Sequence, residues 1–148
     1  MNDFNAKLGG FWLARSGLEI GKTHVTTGVV GHGAIHSPEY ISTGHLSVKC
    51  DIYSYGVLLL ETLTSLKCMA IMERYETQDL AQWASLILEK RTKLKKIIDP
   101  SLDHNYPQEG AFELLSLASK CLANKPKDRP SSEEVLLSLQ HIHAANEY

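Results

Sequence analysis

The chain has 148 residues, of which 43% are hydrophobic and 22% charged, and its seventeen carboxylates against fifteen Lys and Arg give a net charge of −2. That length suits one domain with a real core, and the charge balance gives no support for whole-surface attraction to nucleic acid or to an anionic membrane. Three cysteines, Cys50, Cys68 and Cys121, are an odd count without a CxxC, which speaks against a disulfide framework or a zinc ribbon and for a reducing, cytosolic compartment.

The start, Met1-Asn2-Asp3-Phe4, lacks the basic-then-apolar order of a signal peptide and the second-position Gly of myristoylation. The longest apolar run, Val57-Leu58-Leu59-Leu60, is far short of the ~20 residues that cross a bilayer, so direct membrane insertion is not expected. Residues 1–45 hold eight of the ten glycines and four of the seven histidines. They read as loop, with short strands at Ala6–Leu8 and Thr23–Val30. From Asp51 the pattern turns helical. Ile52, Tyr55, Gly56, Leu59, Leu60 and Leu63 share one face over 51–66, and Tyr53, Val57 and Leu58 make the other sides apolar too, so this helix should be central. Leu80, Trp83, Ala84, Ile87 and Leu88 predict a second helix over 78–88; Ala111, Leu114, Leu115, Ala118, Cys121 and Leu122 predict a third over 108–122, opened by Pro107. The last begins at the capping box Ser131-Ser132-Glu133-Glu134, followed by Val135, Leu136, Leu139 and Ile142. Polar, Pro-bearing connectors lie between.

Several strings stand in a specific order: Ser37-Pro38-Glu39-Tyr40, then Asp51-Ile52-Tyr53-Ser54-Tyr55-Gly56, then Lys120-Cys121-Leu122 and Lys127-Asp128-Arg129-Pro130. This order resembles the C-terminal lobe of eukaryotic protein kinases, with an A-P-E motif, a D-x-[WY]-S-[FY]-G helix and a closing R-P. Thr23-His24-Val25-Thr26-Thr27 and Thr43-Gly44-His45-Leu46 look like the activation segment of plant receptor-like cytoplasmic kinases. The resemblance implies a mainly α fold, a kinase-like C-terminal lobe with a Gly-rich N-terminal activation-segment loop and no N-terminal lobe. It implies residues 1–45 as a degenerate magnesium-motif and activation region and 46–148 as the helical lobe, together one structural unit. It also implies a structural pairing of Glu39 with Arg129. Asp51 hydrogen-bonds the catalytic loop in the family; its plainer reading here is an N-cap of its own helix. Thr26 and Thr27 sit where another kinase could phosphorylate them.

The same comparison exposes departures. Where the family reads D-F-G-L-A, this chain reads Gly10-Phe11-Trp12-Leu13-Ala14, and Gly28, His32, Ala34 and Ser37 stand for the family's Arg, Thr, Gly and Ala. Phosphoryl transfer rests on positioning and on charge neutralisation by metal and lysine. These losses therefore lead to the expectation that the chain is not an enzyme: no catalytic, cofactor or metal residues, and a binding, decoy or regulatory role in receptor-like kinase signalling. The alternative is a non-functional piece of a kinase gene. A protein partner or a second copy is expected on an exposed face of helix 51–66, with three or four large side chains bare, in the cytoplasm or at the plasma membrane through that partner. The histidine pairs His32/His36 and His141/His143 lack completing ligands for a metal, and the run Lys90, Arg91, Lys93, Lys95, Lys96 reads first as a solvated face.

Overall fold

The computed structural model describes residues 6–9, 11–15, 23–31 and 35–145. Gly10, His32 and Ala34, which figure among the departures noted above, lie outside them. The architecture is mainly α. Among the described residues there are seven α-helices, α1 Pro38–Thr43, α2 Val48–Thr64, α3 Cys68–Arg74, α4 Leu80–Leu88, α5 Arg91–Ile97, α6 Gln108–Cys121 and α7 Ser132–Ala145, and a two-stranded ribbon whose strands flank α1, β1 Val25–Thr26 before it and β2 His45–Leu46 after it.

The apolar sides of α2 decide the packing. Ile52, Tyr53, Val57, Leu59, Leu60 and Leu63 are buried in one core with Leu115, Leu117, Ala118, Cys121 and Leu122 of the α6 segment. Gly56 sets the spacing, because a Cβ there would stand 2.8 Å from Cys121 Cβ and 3.0 Å from Leu122 Cγ. Helix α4 adds Leu80, Trp83, Ala84 and Ile87, and α7 adds Val135. After α5, the Asp99 N–H donates to the Leu63 carbonyl at 2.9 Å, tying the connector back to the end of α2.

Three helices are absent from the sequence expectation. α1, α3 and α5 have only six or seven residues, too short to display a period and too short to be stable alone. Tertiary contacts supply what propensity lacks: Glu61 Oε1 of α2 accepts the Cys68 N–H at 2.7 Å, capping α3 from outside its own segment. The expected strand at Ala6–Leu8 is not formed; its residues are exposed and irregular. The strand expected over Thr23–Val30 shrinks to Val25–Thr26, because β2 offers only two residues to pair with. Among the described residues, no single helix is long and apolar enough to cross a membrane.

Candidate functional site

Pro38 opens α1, where its missing N–H costs nothing, and Gly44 closes it in the left-handed region at φ 69°. A side chain at Gly44 would put Cβ 2.6 Å from the Thr27 carbonyl oxygen, so glycine lets the incoming segment lie against the end of α1. There the Thr27 N–H donates to the Gly44 carbonyl at 3.0 Å, and Val25 and Thr26 pair with Leu46 and His45. The buried Tyr40 holds the next stretch. Its hydroxyl donates to the Gly28 carbonyl at 3.1 Å and accepts the Val30 N–H at 3.4 Å.

The base of this assembly is an ion pair between positions ninety residues apart. Arg129, 2% exposed, donates from Nη1 to Glu39 Oε1 at 2.6 Å and from Nη2 to Oε2 at 2.8 Å. Its other N–H groups reach the carbonyls of Lys49 (2.9 Å), Ala123 (2.8 Å) and Asn124 (3.4 Å). All five guanidinium donors are therefore used, the condition under which burying the charge is tolerable. Lys49 Nζ returns bonds to the carbonyls of Arg129 and Pro130 at 2.6 and 3.0 Å. Burial alone would push the Glu39 carboxyl up, but the hydrogen bonds from Arg129, from the local backbone and from Ser37, together with the Arg129 charge, jointly outweigh this and bring it down to about 2. Tyr53, whose ring lies 5.0 Å from the guanidinium carbon, is pushed up to about 12, chiefly by burial.

Asp51 does not cap α2. The helix starts three residues earlier, with Ser47 as its cap residue, whose backbone N–H donates to Cys50 Sγ at 3.4 Å. Asp51 falls in the first turn, where its charge suits the helix dipole, at the wall of a cleft of about 340 Å³ lined also by Leu13, Ile35, His36 and Ser54. The residue as a whole is exposed, yet the cleft walls desolvate its carboxyl enough to push it above the usual range. Of the two threonines, Thr26 is exposed, whereas Thr27 is half-buried and its hydroxyl donates to the Gly28 carbonyl at 2.6 Å. Trp12 is 84% exposed.

The outward arc of α2 carries three large side chains. Val48 and Leu58 are exposed, at 65% and 52%, with half-buried Tyr55 between them; α6 and α3 pack on other sides of the helix. No group of three metal-ligating side chains exists among the described residues.

The stacked pair His24 and His45, with ring centroids 3.9 Å apart, was not singled out from sequence. The β1–β2 register, invisible in a linear reading, creates it.

The chain is similar throughout to known proteins. A family model described as the protein kinase domain matches residues 2–141. A probable serine/threonine-protein kinase of Arabidopsis thaliana, PBL12, is 45% identical over 141 residues, 95% of this chain and 33% of the relative. An EPD1-interacting receptor-like cytoplasmic serine/threonine-protein kinase of Gossypium barbadense, 5D, is 41% identical over 141 residues, 95% of this chain and 31% of its own length. Another probable kinase of Arabidopsis thaliana, PBL10, is 40% identical over 146 residues, 99% of this chain and 35% of the relative. The chain thus spans about a third of the length of the curated relatives it matches. These findings correct one expectation from sequence, that the chain is not an enzyme. The relatives are named as kinases, and departures from a motif at single positions do not establish that catalysis is lost.

Proposed function

The chain belongs to the protein kinase family, and from that premise we propose that it serves, in receptor-like cytoplasmic signalling of the plant type, as the helical, substrate-side body of a serine/threonine kinase. The observation carrying this reading is the buried Arg129–Glu39 pair at 2.6 Å. It anchors α1, and through Tyr40 and Gly44 it fixes the segment bearing Thr26 and Thr27. A segment fixed in this way can present an extended substrate in one geometry, and phosphoryl transfer is mostly a matter of positioning.

Kinases of this family take a magnesium-bound nucleotide as phosphate donor. Among the described residues, the cleft at the start of α2 offers one carboxylate, Asp51, one guanidinium, Arg15, and no lysine. These residues alone do not fit that group, and no step is derived through it.

The test is phosphate transfer by the protein recovered from its own cells, together with the chains that accompany it, using labelled Mg·ATP and a mixture of serine and threonine peptides. We expect label on serine and threonine, lost in Arg129→Ala. A preparation containing the intact chain that labels nothing beyond the Arg129→Ala background would overturn the reading.

A regulatory role is proposed beside it. Thr26, exposed and on a pinned strand, is a better phosphate acceptor than the engaged Thr27, and the Val48–Tyr55–Leu58 arc is the proposed contact for a protein partner or a second copy. In this proposal the protein is cytoplasmic and reaches the plasma membrane through such a partner. Phosphopeptide mapping of the cellular protein would show Thr26 modified; phosphate confined to Thr27 would reverse the assignment.

A further inference from the structure

Between Lys22 and Lys49 the chain has no Lys or Arg, and its one carboxylate there is Glu39, already held by Arg129. The basic groups of this stretch are four histidines, His24, His32, His36 and His45. His36 lines the cleft at the start of α2, its Nε2 2.9 Å from the Val30 carbonyl oxygen. His24 and His45 meet on the ribbon, with their stacked rings 23° from parallel. Lys49 is committed elsewhere, to the carbonyls of Arg129 and Pro130.

The register of the ribbon places the two stacked rings around Thr26. His45 is the direct cross-strand partner of Thr26, and direct partners project to one face with Cβ atoms about 4.5–5.5 Å apart. His24 precedes Thr26 by two residues, the spacing that returns a side chain to the same face of a strand. Val25 and Leu46 take the opposite face and line the cleft. Thr26 is exposed. Neither imidazole has a carboxylate partner among the described residues, and His24 Nδ1 lies 3.1 Å from the uncharged Thr23 hydroxyl.

We propose that His24 and His45 form a receiving site for a phosphate carried by Thr26, so that this modification staples β1 to β2. The proposal rests on the reading of Thr26 as the phosphate acceptor. A separate kinase supplies the group from ATP. Thr26 Oγ1 bonds to the γ-phosphorus, the bond to the β,γ-bridging oxygen breaks, ADP leaves, and the hydroxyl proton passes to that kinase's base. The product carries close to two negative charges at neutral pH and three strong acceptor oxygens. An imidazole offers one N–H donor when neutral and two when protonated, so ring donors meet those oxygens from β2 and from the residue before β1. A ribbon of two residue pairs is weakly held by itself, and a bridge from Thr26 to His45 closes it.

The experiment installs phosphothreonine at position 26 of the full chain by codon-directed incorporation and follows its phosphorus-31 resonance over pH. Donors beside the phosphate favour the dianion and lower the midpoint of its second ionisation. We expect the midpoint in the native chain to lie about half a pH unit or more below that of His24→Gln/His45→Gln, with His45→Gln between them. His104→Gln, on the exposed connector before α6, should match the native chain. Exchange of the Thr27 N–H, which bonds the Gly44 carbonyl, should slow on phosphorylation in the native chain and not in the double variant. Circular dichroism checks that each variant is folded. Three results would overturn the proposal: one midpoint for the native and double-variant chains, an equal displacement in His104→Gln, or Thr27 exchange unchanged by phosphorylation. Absence of phosphate from Thr26 in the cellular protein would overturn only the reading of Thr26 as acceptor, because here the phosphate is installed directly.

Discussion

At the scale of single residues, Arg129 shows why burial need not be read from hydropathy. It is among the most polar residues in the chain and among the most enclosed, and its five donors all end on oxygens. Removing one partner strands a charge, so Glu39→Ala or Arg129→Ala should each cost about 3–5 kcal/mol. The double variant should cost less than the sum, and strictly additive losses in thermal unfolding would argue against a coupled pair. The pair also sets an acid limit. The Glu39 carboxyl lies at about 2 in the folded chain against an ordinary 4.5. Its stabilisation is fully present above the ordinary value and declines as pH falls from about 4.5 towards about 2, because the unfolded chain takes up the proton first. Melting temperature followed over that window should fall more steeply in the native chain than in Arg129→Ala. Asp51 behaves oppositely. Its carboxyl is pushed up by desolvation, so its charge opposes folding slightly at neutral pH, and Asp51→Asn should be near neutral or stabilising. A loss of about 1 kcal/mol, as for a helix cap, would show that it acts as a cap after all.

At the scale of elements, the contact of α2 with α6 depends on a missing side chain. In an isolated helix Gly56→Ala would gain about 1 kcal/mol of propensity. Here the added methyl meets Cys121 Cβ at 2.8 Å and the Ala118 carbonyl oxygen at 3.1 Å, backbone and core atoms that cannot swing away. Overpacking costs about 1–3 kcal/mol, so the substitution should lower denaturant stability; a rise would mean that α6 moves freely along α2. The start of α7 is a local matter by contrast. Ser131 Oγ accepts the Glu134 N–H at 3.2 Å while Glu134 Oε2 accepts the Ser131 N–H at 2.6 Å. Ser131→Ala should cost about 1 kcal/mol, with the fraying confined to the first turn of α7 in hydrogen exchange.

At the scale of the whole molecule, the outward arc of α2 presents apolar surface to solvent. Burying a large aliphatic side chain is worth about 1.5–3 kcal/mol, so Val48, Tyr55 and Leu58 together could support a modest association. Light scattering and binding of an apolar-surface dye should report association by the native chain and a clear reduction in Leu58→Glu. A compact, dye-silent monomer at high concentration would remove the proposed contact.

The long elements were legible in the sequence because their signals are local. Apolar spacing gave 51–66, 78–88 and 108–122 near the observed Val48–Thr64, Leu80–Leu88 and Gln108–Cys121, and Ser131 with Glu134 marked the start of α7. The ordered strings around Glu39, Asp51 and Arg129 were enough to place the family. Tertiary structure decided the rest. α1, α3 and α5 exist because Tyr40, Glu61 and the buried Leu94 and Ile97 meet groups distant in the chain, and no window of six or seven residues contains that information. The cap of α2 moved to Ser47 because the β1–β2 ribbon ends at Leu46. Which residues form the exposed arc of α2, Val48, Tyr55 and Leu58, was set by neighbours: periodicity says which side chains share a face, and only packing says which faces are covered.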